Sequence, residues 1–163
     1  MINIQAQVNR FAAPLFTLAS GNATLVRNGD TYTLDFGTVQ RSAPLPQVEL
    51  TLANAVAAPA DSLAGSYMLT GSSFQFGTFA AFSNLAAGQS ISQLLVALKT
   101  DANGLFTGSI SLGSFSENSG GFSGALNNQI INLQGQVIPE PAIWGLLGVA
   151  LLQFAARRSR RKF

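Results

Sequence analysis

The sequence has no cysteine and no histidine. Without thiols no disulfide can staple the fold, so packing alone must hold it. Zinc sites built from Cys and His are excluded. So are the Ser-His-Asp and Cys-His arrangements, which need an imidazole as general base. Charge is sparse, with nine Lys and Arg against seven Asp and Glu in 163 residues. Tryptophan occurs once and tyrosine twice, against twelve phenylalanines. Before Pro139 no stretch shows the apolar spacing of an amphipathic helix. Little charge with plentiful apolar residues is not a disordered composition either.

The basic pI of about 9.5 belongs to one end of the chain. Five of the nine bases fall between Arg157 and Lys162. Upstream of Ile138 the bases are Arg10, Arg27, Arg41 and Lys99. The acids there are Asp30, Asp35, Glu49, Asp61, Asp101 and Glu117, which leaves that part at −2. A nucleic-acid partner is therefore not expected, because it needs a basic patch on the folded domain.

What is present is β patterning. Ala23 to Val26 runs into Asn28-Gly29, and Tyr32, Leu34 and Phe36 alternate after it, a strong hairpin signal. Gly37 and Pro44 to Pro46 interrupt. Val48, Leu50 and Leu52 then share one face. Further strands are expected at Ser66–Thr70, Ser73–Phe76, Ser92–Thr100, Leu105–Leu112 and Gln129–Val137. In the last, Ile131, Leu133 and Val137 face one way, and Asn132, Gln134 and Gln136 the other. Asn54–Gly65 and the Ser/Gly-rich Ser114–Gly124 read as loops. Seven to nine short strands with no helix predict an antiparallel β-sandwich. Residues 21–137 are its expected extent. Residues 1–20 form an N-terminal segment that adds an extra strand or a cover.

From Ile138 the composition changes. Pro139-Glu140-Pro141 fixes an extended, accessible carboxylate. Residues 142–156 follow, apolar except for Gln153, and are expected to form a single transmembrane helix. At the helical rise they span roughly 22 Å. That is short of the ~30 Å hydrocarbon core. Local thinning and snorkelling cations make up the difference. Trp144 stands where a membrane-interface aromatic belongs. Arg157, Arg158, Arg160, Arg161 and Lys162 in the tail 157–163 form a positive-inside cluster. It places the terminus in the cytoplasm and the body on the other side of the membrane.

Taken in order, these features of residues 138–163 resemble the PEP-CTERM sorting signal of proteins exported by Gram-negative bacteria. The resemblance implies recognition of Pro139, Glu140 and Pro141 by an exosortase, an integral-membrane cysteine protease that processes the tail near that motif. Two further stretches, Thr33–Val39 and Val48–Asn54, resemble the opening of choice-of-anchor-type Ig-like domains. Gly104–Leu112 and Ile131–Val137 resemble their last two strands. That resemblance implies an Ig-like sandwich and brings no catalytic residue, metal or cofactor.

The expectation is a non-enzymatic, structural or adhesive protein. Its precursor sits in the inner membrane with the body in the periplasm, and it ends at the cell surface or in the extracellular matrix. Near the start, Arg10 followed by Phe11–Ala19 is a poor imitation of a secretory signal, interrupted by Pro14. The alternative is a carbohydrate-binding module for exopolysaccharide. An aromatic row at Phe74, Phe76, Phe79 and Phe82 would serve it, although core packing explains those rings more cheaply. Asp101-Ala102-Asn103-Gly104 resembles the start of a calcium loop but lacks the rest, and a turn is expected there. Asp30 reads as turn chemistry and Asp35 as a solvated carboxylate on an outer face.

Overall fold

In the computed structural model, residues 2–3 and 8–140 are described. Eleven strands follow in order: β1 (Pro14–Ser20), β2 (Thr24–Asn28), β3 (Thr31–Gln40), β4 (Gln47–Asn54), β5 (Ser62–Thr70), β6 (Phe74–Gly77), β7 (Phe82–Leu85), β8 (Ser90–Leu98), β9 (Gly104–Glu117), β10 (Ser123–Ala125) and β11 (Gln129–Ile138). They build two sheets. The smaller has the order β1-β4-β8-β6. The larger has the order β2-β3-β11-β9-β5-β7, with β10 beside β9. No helix occurs among the described residues. The predicted helix at 142–156, Pro141, Trp144 and the basic cluster all lie outside them.

Period-2 alternation makes these strands. In β4 the inward positions Val48, Leu50 and Leu52 are buried, and the residues between them are partly open. In β11 the same alternation buries Ile131, Leu133 and Val137 and exposes Asn132, Gln134 and Gln136. Leu34, Leu94, Leu98, Ile110 and Leu112 complete the layer between the sheets. Burying each such side chain contributes about 1.5–3 kcal/mol. Gly135 interrupts the inward row of β11 because the other sheet comes close. A Cβ there would stand 2.6 Å from Leu98 Cδ2 and 3.1 Å from Phe36 Cβ.

Four features differ from the sequence reading. The first hairpin turns at Gly29-Asp30, since Asn28 pairs with Thr31. The sandwich takes in Pro14–Ser20, which pairs with β4 along its length. Both expected loops contain strand: Ser62–Gly65 pairs with β9, and Ser114–Glu117 pairs with β5. Finally, not every pair is antiparallel. β11 lies parallel to β3 and antiparallel to β9, so the last strand sits in the middle of the larger sheet.

Candidate functional site

The exit of the chain is built by that central strand. Val137 and Ile138 pair with Val39 and Gln40. Arg41 N donates to Ile138 O at 2.8 Å, and Ser42 N donates to Thr100 O at 2.9 Å. Arg41 Nε donates to the Asp101 carbonyl at 3.1 Å, and Thr100 Oγ1 to the Ala43 carbonyl at 2.8 Å. The end of β11 is therefore tied to two neighbouring turns. Pro139 and Glu140 are exposed, with no linker between them and the last paired residue. A shallow cleft of about 280 Å³ is lined by Arg41, Ser42, Asn103, Pro139 and Glu140. Next to it Lys99, Asp101, Leu45 and Gln75 border a second opening of about 500 Å³. The corner carries charges of both signs and presents a peptide.

Other sequence candidates prove structural. Phe74 is buried, and Phe76, Phe79 and Phe82 pack against the core. Phe79 and Phe82 close on Tyr67, with ring centroids at 5.2 and 5.9 Å. An exposed row of these four rings does not exist. Asp101–Asn103 make the turn between β8 and β9, and no group of three acids gathers to hold a metal among the described residues. Asp30 accepts from Gln129 Nε2 at 2.8 Å and from Asn127 Nδ2 at 3.1 Å. Those two bonds, with Arg27 nearby, hold its carboxyl below the usual range.

Sequence reasoning missed the buried polar cluster around Asp61. Its Oδ2 accepts from Ser116 Oγ at 3.0 Å, and its Oδ1 from Asn9 Nδ2 at 3.0 Å and Asn118 Nδ2 at 3.2 Å. Ser116 Oγ in turn accepts from Ala12 N, and Asn54 Oδ1 from Ala13 N. Asn54 Nδ2 donates to the Asp61 and Leu85 carbonyls. The cluster clamps residues 9–13 against β4 and β9. The amide of Asn9 foremost, with Asn118 and Ser116, outweighs burial and keeps the Asp61 carboxyl below its ordinary range. The one signal was an Asp and an Asn bracketing an otherwise apolar, Pro-containing segment.

On the outer face of the larger sheet, Asp35 lies beside Gln134. Its Oδ2 accepts from Gln134 Nε2 at 2.9 Å and its Oδ1 from Gly37 N at 2.7 Å. Between Gln134 and Gln136, β3 supplies one extra residue, so Asp35 and Thr38 are the partners of two β11 positions only two apart. Gly37 takes the positive φ of 66° that this bulge needs.

No protein-family model matches the chain, and no curated protein matches it. Among solved structures, it is similar to the ASH / PapD-like domain 7 of human CEP192, at 10% identity and a TM-score of 0.52. The match covers 86% of this chain and 96% of that one. A second likeness is to a family 123 glycoside hydrolase from Clostridium perfringens, at 10% identity and a TM-score of 0.39. It covers 78% of this chain and 27% of the hydrolase, too remote to bear on fold or activity. The first likeness agrees with the strand pairing: the body is an all-β sandwich of the PapD-like, Ig-like kind.

Proposed function

We propose that this chain is a non-enzymatic exported protein of the envelope or extracellular matrix, and that its tail is a PEP-CTERM-type sorting signal. One observation above all supports the reading. Pro139 and Glu140 stand exposed where the last strand ends, with the apolar and basic stretches next in sequence. An exosortase-type protease would meet an extended Pro-Glu-Pro held at the membrane side of a folded body. The apolar stretch 142–156 would cross the inner membrane, with Trp144 at its outer interface and the cluster Arg157–Lys162 inside. Every described strand ends by Ile138, so a cut beyond the motif removes no part of the sandwich. The released body would serve a structural or adhesive role.

The test is expression in a Gram-negative host that carries an exosortase. Pro139→Ala combined with Glu140→Ala should accumulate as a full-length, membrane-bound species, as should the unaltered chain in an exosortase-deleted strain. Equal processing of the altered and unaltered chains would defeat the proposal.

A further inference from the structure

We infer that the bulge depression on the outer face of the larger sheet binds a neutral saccharide. A regular strand would aim Asp35, Gly37 and Val39 to the same side. The extra residue in β3 instead pairs Thr38 with Gln136, so Asp35, Thr38, Gln134 and Gln136 all open outwards, while Val39 packs against the core. Together with Leu105 they border a depression of about 200 Å³, on the scale of one sugar ring. Its chemistry is one carboxylate, two primary carboxamides, one hydroxyl and one apolar side chain.

The carboxylate is preorganised. Each oxygen of Asp35 already accepts one hydrogen bond, from Gly37 N and from Gln134 Nε2. Each keeps further acceptor capacity for a ligand hydroxyl. Gln136 and Thr38 are exposed and offer both donors and acceptors. Leu105 is 73% exposed at the rim, an apolar surface for the C–H face of a ring.

Charge narrows the ligand class. Among the described residues no Lys or Arg borders the depression. Phosphate-bearing and nucleic-acid ligands lose the cations that hold them. Among the described residues Asp35 is the sole acid there, where a calcium ion takes six to eight oxygen ligands, several of them carboxylate. The next row along the face, Thr33–Asn132–Ser109–Thr70, is uncharged and short, with Thr70 and Ser109 hydroxyls at 2.9 Å. Short side chains lose little rotamer freedom when covered. A neutral polysaccharide can therefore run from the depression across the sheet. This inference concerns the body and does not depend on the fate of the tail.

The experiment is binding of the full-length protein, in detergent, to an array of neutral, acidic and amine-bearing oligosaccharides. Affinity electrophoresis in gels holding a soluble β-glucan, a galactomannan or dextran supplies the comparison of variants. The expected result is retention by at least one neutral glycan. Asp35→Ala and, separately, Gln136→Ala should each weaken it about tenfold, and Thr17→Ala on the other sheet should leave it unchanged. Unaltered thermal unfolding of the Gln136 variant separates lost binding from lost fold. Retention by acidic or amine-bearing glycans alone, retention that survives both substitutions, or no retention by any neutral glycan would overturn the site. So would loss, in Asp35→Ala, of a self-association that the unaltered protein shows without sugar, because a second copy would then own the face.

Discussion

Single side chains carry two testable consequences. The Tyr67 hydroxyl is buried without a hydrogen-bond partner among the described residues, and burial raises its pKa. Leaving a hydroxyl dry and unpaired costs free energy that a phenyl ring avoids. Tyr67→Phe should keep the packing on Phe79 and Phe82 and stabilise the protein by about 1 kcal/mol. A clear drop in melting temperature would show that the hydroxyl has a partner. Asp61 and Asp30 both have pKa values lowered by hydrogen bonds. A lowered folded value means the folded state resists protonation. Their contribution is present above the ordinary carboxylate range, near pH 4, and is lost as pH falls through it and below. Thermal unfolding followed from neutral to strongly acidic pH should therefore show an acid limb. Asp61→Asn should be less stable at neutral pH and show a shallower limb. An unchanged limb would remove Asp61 from the acid response.

At the scale of elements, β11 is the strand on which the rest is hung. It holds β3 and β9 together, closes the core through Ile131, Leu133 and Val137, and ends at the exposed motif. Gly135→Ala should overpack the contact with Leu98 and Phe36 and cost about 1–3 kcal/mol. Chemical denaturation measures that cost, and a neutral result would mean that the two sheets have slack there. Much of this was legible in the sequence. The alternation of Val48, Leu50 and Leu52, and of Ile131, Leu133 and Val137, gave strand and inward face together. Pairing was not legible. Periodicity says that Gln129–Val137 is a strand but not that it lies parallel to a strand about a hundred residues earlier. Ser114 and Ser116 read as loop because their hydroxyls hide an inward face. Ser116 is buried by bonding Asp61 and Ala12, partners that only the fold brings near. Likewise Gly37 looked like a break in a strand. Its effect, turning Thr38 outwards beside Asp35, required knowing the register against β11.

For the whole molecule, the division of labour runs along the chain. Residues 10–138 form a charge-poor sandwich without disulfides, and its interior uses most of the aromatic rings. The alternation of apolar residues foretold the β class, and the composition removed the histidine- and cysteine-based chemistries. In this account the sandwich is cargo and the stretch after Ile138 is an address. The two meet without a spacer, so the Arg41–Asn103 corner is the part of the body closest to any enzyme that handles the motif. Mass spectrometry of the intact protein recovered from its Gram-negative host tests the account most directly. The account predicts a mature species outside the cytosol that has lost Arg157 to Lys162. A soluble cytosolic protein with its terminal arginines still attached would contradict it.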